Sequence, residues 1–277
     1  MQVGDWLKKA TQQLQQAGIG TARLDCLVLL EDTLNNNRTH LIAHPEEKIG
    51  NEQLMYLQRA VTRRMTHEPL AYIRGRTEFY GREFIVNKHV LEPRPESEGM
   101  ISLLKDAALP AKSHLADVGT GSGALGITAK LEMPSLHVDL IEMDEQALTV
   151  TKKNVNKFNV SVTCILSDLL TSTSQRYDVI LANLPYVPDN FQINPAALME
   201  PRIAIFGGPD GLDLYRRLFI QIGSLKRQPR LIFTESLPPQ HDTLAAIGRQ
   251  AGYELSRTEN FIQQFDLKPP PQRSSTH

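Results

Sequence analysis

The sequence is poor in the residues that mark disulfide-stabilised, metal-binding or membrane-spanning proteins. It has only two cysteines, Cys26 and Cys164, in 277 residues, which make neither a disulfide framework nor a zinc pattern. Its eight histidines are scattered without ligand spacing, so we expect no metal site. No apolar run approaches the roughly 18 residues of a transmembrane helix, and Met1 leads into a polar stretch instead of a signal peptide. These absences predict a soluble, cytoplasmic protein without a membrane partner.

The chain also lacks a surplus of charge of either sign. It has 30 Lys and Arg residues against 31 Asp and Glu residues, a formal net charge of −1. The chain therefore has no overall basic field of the kind that attracts nucleic acid. A length of 277 residues suits one large domain or two unequal ones with a sizeable core. We expect a globular monomer and do not expect nucleic acid as a partner.

Helical patterning occupies the first part of the chain, residues 2–66. Apolar residues recur there at the spacing of one helix face, and two further stripes follow within 24–34 and 54–61. The first stripe consists of Trp6, Leu7, Ala10, Leu14 and Ala17. We predict a small helical domain over residues 1–68.

A short segment of strand character follows this helical part. Pro69 breaks the helical period, and residues 77–86 have the pattern of two short strands about Gly81. We predict that residues 69–95 form a β-hairpin linker between two domains.

Strands and helices alternate from His114 onward. Apolar runs of strand length are separated by stretches with helical periodicity. The predicted strands are Leu115–Val118, Leu136–Ile141, Val160–Leu166, Tyr177–Asn183, Leu231–Glu235, Tyr253–Arg257 and Phe261–Phe265. This alternation predicts an α/β fold with a doubly wound, largely parallel sheet over residues 96–266. The proline-rich, polar tail over 267–277 is predicted to be disordered.

A glycine-rich loop and two acidic residues follow the first three predicted strands. The loop Gly119–Gly123 permits a tight turn and opens a helix, whose free amides favour an anionic group. Together with Gly126 it also fits the dinucleotide fingerprint, so a pyrophosphate ligand stays open. Glu142 ends the second strand, where a carboxylate can accept hydrogen bonds from ribose hydroxyls. Asp168 follows the third strand and can accept one from an adenine amino group, so the three features indicate an adenosine site.

The fourth predicted strand of this region ends abruptly in Asn183-Leu184-Pro185-Tyr186. An amide nitrogen is a poor nucleophile because its lone pair is delocalised, and an enzyme helps by accepting its N–H groups. The side-chain oxygen of Asn183 and the carbonyl of Leu184 are two such acceptors, and Tyr186 can lie against the flat acceptor group. Alignment of the nitrogen, the methyl carbon and the sulfur then favours the transfer through proximity. This pattern indicates methyl transfer to a planar nitrogen, although Asn and Pro after a strand are also ordinary turn chemistry.

At this point the chain resembles the release-factor glutamine methyltransferase family. The resemblance runs from about Trp6 to the region of Asn260 and rests on an ordered set of motifs. They are Ala22–Asp25, Pro69–Gly75, Glu78–Gly81, Pro93–Glu98, Asp117–Gly123, Asn183–Tyr186, Glu200–Arg202, Phe206–Asp213, and Glu235 with Gln240. The resemblance implies a Rossmann-like class I methyltransferase domain with a small N-terminal helical domain that docks the substrate.

The resemblance also implies a reaction and its residues. S-adenosylmethionine would donate a methyl group to the N5 amide of the glutamine in the Gly-Gly-Gln loop of peptide chain release factors. The implied cofactor-binding residues are Gly119, Thr120, Gly121, Gly123, Glu142, Asp168 and Asn183. The implied substrate-binding residues are Asn183, Leu184, Pro185 and Tyr186, of which Asn183, Pro185 and Tyr186 would be catalytic.

Two departures from the family pattern keep alternatives open. Leu184 stands where the family usually has proline, and Ile262–Phe265 lacks the usual aspartate-rich ending, so we expect the last strand to differ in form. One alternative is an adenine-N6 methyltransferase acting on ribosomal RNA or DNA. Another is a non-catalytic adaptor with a methyltransferase fold. The roles of Arg94, Glu96 and Glu98 stay undecided between helix-start chemistry and closing of the site.

Overall fold

The computed structural model describes residues 1–173 and 175–268. The chain divides into two compact units, Met1–Arg76 with residues 193–199, and Thr77–Gln192 with the residues from Glu200 onward. Within the described ranges, no helix has both the length and the apolar character needed to cross a membrane. Of the tail predicted to be disordered, residues 269–277 lie outside the described residues, and Leu267 belongs to a strand instead.

The first unit is helical because its apolar stripes pack on one another. Its helices are α1 (Val3–Gln16), α2 (Ala22–Leu34), α3 (Arg38–Ala43), α4 (Asn51–Met65) and α5 (Leu70–Arg74). Trp6, Leu14 and Leu57 are buried in one core. The fifth helix lies in the range predicted to be linker. The hairpin therefore does not extend to residue 69, because Pro69 ends the helical pattern before it and is followed directly by α5, which begins at Leu70.

The second unit starts with the predicted hairpin, strands β1 (Arg76–Phe79) and β2 (Arg82–Ile85). Tyr80 and Gly81 form its turn with φ of 52° and 67°, the left-handed conformation that tight hairpin turns require. The carboxylate of Glu98, at the start of the next helix, accepts a hydrogen bond of 2.7 Å from Tyr80 N. Glu98 therefore anchors the hairpin turn.

The main sheet has seven strands in the order β5-β4-β3-β6-β7-β9-β8. Its strands are β3 (His114–Val118), β4 (His137–Glu142), β5 (Thr163–Leu166), β6 (Val179–Ala182), β7 (Leu231–Glu235), β8 (Tyr253–Glu259) and β9 (Ile262–Leu267). The helices of this unit are α6 (Glu98–Asp106), α7 (Ala124–Glu132), α8 (Glu145–Phe158), α9 (Asp213–Gly223) and α10 (His241–Gln250). The α/β prediction is confirmed, with β3 to β7 parallel.

The last strand is antiparallel to both of its neighbours. The chain reverses at Asn260–Phe261 directly after β8, without the crossover helix that a parallel strand needs. The sequence that departs from the family ending therefore still forms a strand inside the sheet.

The order of the strands creates the position of the site. The chain runs from β3 outward to β4 and β5, and then returns to the other side of β3 with β6. Val118 and Ala182, the last residues of β3 and β6, are paired in register. Gly119 and Asn183 therefore leave the same edge of the sheet side by side, at the switch point where open α/β sheets bind ligands.

Candidate functional site

A cavity lies at this edge of the sheet, and its empty space, counted together with the open solvent at its mouth, is about 990 Å³. Apolar residues such as Phe79, Leu91 and Leu125 form part of its lining. The predicted site residues that line it are Gly119, Thr120, Gly121, Glu142, Asn183, Leu184 and Pro185. Gly123, Asp168 and Tyr186 are not among its lining residues.

We call one side of the cavity the glycine wall, consisting of Gly119–Ser122 and Glu142. Gly119 and Gly121 adopt φ of 73° and 56°, which favours glycine. Asp117 holds the loop from below, since its carboxylate accepts hydrogen bonds from Thr120 Oγ1 at 2.5 Å and Gly126 N at 2.8 Å. Full burial raises the pKa of Asp117 to about 6.

Gly126 is the third glycine of the dinucleotide fingerprint, and its role in the structure is packing. A Cβ atom at this position would overlap the side chain of Leu140 on the neighbouring strand. Its lack of a side chain lets helix α7 approach the sheet closely, so this glycine serves packing.

Glu142 joins the glycine loop to the end of β4. Its Oε2 atom accepts a hydrogen bond of 2.9 Å from Gly121 N, and its Oε1 atom accepts from Met143 N and Asp144 N at 2.9 and 3.0 Å. A carboxylate has about four acceptor sites. The three backbone bonds leave about one of them for a ligand hydroxyl, where the sequence suggested room for two.

Asp168 lies beside the cavity, while its neighbours Ser167 and Leu169 line it. Its Oδ2 atom accepts a hydrogen bond of 2.5 Å from Arg217 Nη2. Its Oδ1 atom is buried and has no hydrogen-bond partner in the described part of the chain. A buried, unpartnered acceptor of this kind suits a ligand amino group, so the adenine contact stays a prediction.

We call the opposite side of the cavity the asparagine wall, consisting of Asn183–Tyr186. Behind it lies Glu235, the last residue of β7, with 1% of its surface exposed. Asn183 Nδ2 donates to Ser97 Oγ at 2.9 Å and to Glu235 Oε2 at 3.1 Å. Ser97 Oγ itself donates to Glu235 Oε2 at 2.6 Å, and the Tyr186 hydroxyl donates to Glu235 Oε1 at 3.0 Å. Burial raises the pKa of Tyr186, so this phenol stays protonated.

Two further side chains hold the backbone of the asparagine wall. The buried hydroxyl of Tyr215 lies 3.0 Å from Ala182 O and 2.5 Å from Glu235 O. It also accepts a hydrogen bond of 3.3 Å from Leu184 N, a donor that proline at this position would lack. Gln240 Nε2 donates to Tyr186 O at 2.7 Å. The leucine thus gains a backbone contact in place of the ring constraint.

Glycines let a second segment pack against the backbone of the asparagine wall. A Cβ at Gly207 would overlap the carbonyl oxygen of Pro185, and one at Gly211 would overlap that of Tyr186. A β-bridge between Val187 and Phe206 joins the same two segments. The family-like stretch from Phe206 to Gly211 is therefore a backbone support for the site.

Leu184 is the point at which the two walls of the cavity meet. Its side chain is buried, and a Cβ at Gly119 would lie 2.9 Å from its Cδ2 atom. The absence of a side chain at Gly119 therefore lets the walls touch.

An ion pair joins two segments that line the cavity, and we call this place the rim. The buried carboxylate of Glu200 accepts hydrogen bonds from the Arg94 guanidinium and, at 3.1 Å, from Glu92 N. Leu91 on one chain segment and Ile203 on the other both line the cavity. The pair therefore ties two lining segments together, which assigns Arg94 a contact that its sequence context left undecided.

Reasoning from residue types did not find four residues of the site, namely Ser97, Tyr215, Glu235 and Gln240, although the family motifs include all of them except Tyr215. Only Glu235 had a usable signal, since it ends a parallel strand and such ends share one edge of the sheet. Ser97 and Tyr215 lie on helical segments whose patterns give no sign of a polar role.

Comparisons with known proteins cover nearly the whole chain. Residues 5–75 match the model of the PrmC N-terminal domain, and residues 96–199 match that of the methyltransferase small domain. A release factor glutamine methyltransferase from Bacillus anthracis is 33% identical over 91% of this chain and 92% of its own. One from Deinococcus radiodurans is 31% identical over 95% of this chain and 98% of its own.

The fold has counterparts among solved structures. The crystal structure of the hMettl16 catalytic domain in complex with the MAT2A 3'UTR hairpin 6 superposes with a TM-score of 0.53 at 15% identity. The match covers 79% of this chain and 84% of that chain. At this identity the similarity shows the fold alone, a Rossmann-like methyltransferase sheet.

Proposed function

The chain belongs to the release factor glutamine methyltransferase family, and we propose that it methylates the glutamine of the Gly-Gly-Gln loop of peptide chain release factors at N5. S-adenosylmethionine, when bound, supplies an electrophilic methyl group on a positively charged sulfur. The observation that carries the proposal is a carboxamide, that of Asn183, presented in the same cavity as the glycine wall.

The asparagine wall supplies what an amide nucleophile needs. Both hydrogens of Asn183 Nδ2 are used by Ser97 and Glu235, while its Oδ1 atom accepts no hydrogen bond from any described residue. Oδ1 is therefore the atom that accepts an N–H of the substrate glutamine. The carbonyl of Leu184 takes the second N–H, and the Tyr186 ring packs on the flat amide. Holding nitrogen and methyl group in line contributes through proximity and orientation.

The glycine wall fits the methyl donor. Gly119 and Gly121 bring bare backbone to the cavity, and Glu142 retains an acceptor for a hydroxyl. The unpartnered Oδ1 of Asp168 suits the amino group of an adenine. Thr120 and Gly123 complete the loop that holds these groups.

The proposal extends to partners and location. Release factors act on ribosomes, so we propose a cytoplasmic location. We also propose that the protein is a monomer. It is not expected to bind nucleic acid, because its net charge of −1 gives no overall basic field. The helical domain of the first unit is proposed to dock the release factor.

The test is methylation of a release factor in the presence of S-adenosylmethionine, followed by mass spectrometry of the Gly-Gly-Gln peptide. We expect a mass gain of one methyl group on the glutamine, and none on a release factor carrying alanine there. A protein that binds the donor in calorimetry but leaves the glutamine unmethylated would contradict the proposal. A methyl group found on adenine of RNA or DNA would support the nucleic-acid alternative, and failure to bind the donor would support the adaptor.

A further inference from the structure

A single buried carboxylate organises the asparagine wall from behind. Glu235 receives hydrogen bonds from Ser97, Asn183 and Tyr186, which come from two separate parts of the chain. Glu235 is not one of the residues that line the cavity. It therefore influences the cavity through the side chains that it binds.

The hydrogen bonds fix which end of the Asn183 carboxamide faces the cavity. Ser97 Oγ gives its only hydrogen to Glu235 Oε2, so toward Asn183 it can act only as an acceptor. An ionised Glu235 is also only an acceptor. Both neighbours of this end of the carboxamide therefore demand the NH₂ group, and a flipped amide would place Oδ1 against two oxygens.

From this accounting we propose that Glu235, together with Ser97, is a positioning residue that locks Asn183 Oδ1 toward the acceptor amide and holds the Tyr186 ring. The inference rests on the proposed function, because Oδ1 matters only if a substrate N–H must be accepted. One carboxylate thus sets two groups of the asparagine wall at once. Its loss releases the carboxamide to rotate between an accepting and a donating orientation.

The arrangement requires that Glu235 be ionised. Burial raises its pKa, and nearby Glu96 raises it further, while the hydrogen bonds from Ser97 and Tyr186 lower it. The hydroxyl of Tyr215 faces it from α9, and Arg94 is the cation near Tyr186. As the pH falls through this raised pKa, the new O–H competes with the donors on Asn183 and Tyr186. Turnover at saturating donor should therefore fall on the acid side.

The test compares Glu235→Gln with wild type on the whole protein, using a Gly-Gly-Gln release factor and S-adenosylmethionine. We expect kcat to fall about 10- to 100-fold, as for loss of a hydrogen bond to a charged group. The Kd of the donor by calorimetry should stay within about twofold, because Glu235 does not touch the glycine wall. The acid limb of the kcat profile should disappear, since glutamine does not titrate.

The matched control is Thr234→Val. Thr234 precedes Glu235 on the same strand, is fully buried, and its hydroxyl has no hydrogen-bond partner in the described ranges. This change should leave kcat and the acid limb as in wild type. If Glu235→Gln does not fold, Ser97→Ala takes its place, with an expected fall in kcat of about three- to tenfold and the acid limb retained.

The outcomes separate this inference from the function on which it rests. A wild-type protein that leaves the glutamine unmodified overturns the proposed function. A wild type that methylates, with Glu235→Gln equally fast or with its acid limb unchanged, overturns the inference. Donor affinity that falls in step with kcat also overturns it, because Glu235 would then serve the whole cavity.

Discussion

The two walls of the cavity are built in different ways. The contacts that hold the glycine wall span shorter stretches of the chain, with separations of 3 for Thr120 to Asp117, 21 for Gly121 to Glu142 and 32 for Ser122 to Asn154. The asparagine wall depends on side chains 86 and 52 residues away from Asn183, on Ser97 and Glu235. One wall is a loop held by nearby parts of the chain, and the other is a side-chain network between parts that lie far apart in sequence.

The two walls should therefore lose their function in different ways. The carboxylate of Glu142 binds backbone amides of the glycine wall, where the methyl donor is proposed to bind. Glu235 instead binds the side chains of Asn183 and Tyr186, which are proposed to contact the acceptor amide. Damage to the glycine wall should therefore weaken donor binding, and damage to the asparagine wall should slow methyl transfer.

The largest expected effect separates the walls by one substitution in each. Asn183→Ala should lower kcat about 100- to 1,000-fold, as removal of an oriented hydrogen-bonding group in an active site does. Its donor Kd should stay within about twofold. Glu142→Ala should raise the donor Kd about 10- to 100-fold, because it removes hydrogen bonds to a charged group. Calorimetry and single-turnover kinetics at saturating donor measure both quantities.

Similar behaviour of the two variants would contradict separate roles for the two walls. Asn183→Ala with strongly weakened donor binding would show that the asparagine wall is part of the donor site. Glu142→Ala with a kcat loss of similar size at saturating donor would show that the glycine wall aligns the acceptor as well.

The same difference explains what could be predicted from the sequence. Strand β7 has its predicted bounds, Leu231–Glu235, because a short apolar run marks a buried strand on its own. The glycine loop and Glu142 were also found at the predicted strand ends. These features depend on residues close together in the chain, which is where residue-type patterns carry information.

The support of the asparagine wall could not be predicted in this way. Ser97 and Tyr215 contact the wall only because the sheet order places β7 next to β6 and brings α6 and α9 to the same edge. No local pattern specifies such contacts. The antiparallel direction of β9 escaped for a similar reason, since it follows from a turn and not from a residue period.

The next effect concerns stability and uses Gly207, which packs against the asparagine wall, and Gly121 of the glycine wall. Gly207→Ala should lower the free energy of unfolding by about 3 kcal/mol, the upper end for overpacking, because its Cβ would overlap two carbonyl oxygens. Gly121→Ala should cost about 1 kcal/mol, since its Cβ meets nothing within 4 Å and only the positive φ opposes it. Urea unfolding measures both. Equal losses would show that the two walls tolerate side chains alike.

The smallest expected effect lies at the rim, where the Arg94–Glu200 pair ties two lining segments together. The Glu200 side chain is 2% exposed and that of Arg94 is 35% exposed, so solvent screens the pair from one side. Glu200→Gln should therefore speed donor dissociation only about two- to tenfold. The matched control is Asp189→Asn, which removes a more exposed ion pair with Arg202 from the same loop and should change nothing.

The effect of Glu200→Gln on the rate of donor dissociation should depend on pH. Burial raises the pKa of Glu200, and Arg94 opposes that rise. Below this raised pKa the wild-type carboxyl is neutral, as glutamine is, so the two proteins should release the donor at similar rates. Above it the wild-type pair is charged, and the difference should be fully present. Stopped-flow dissociation across the acid range measures it. A rate difference that grows toward low pH would mean that the neutral carboxyl, and not the ion pair, holds the rim together.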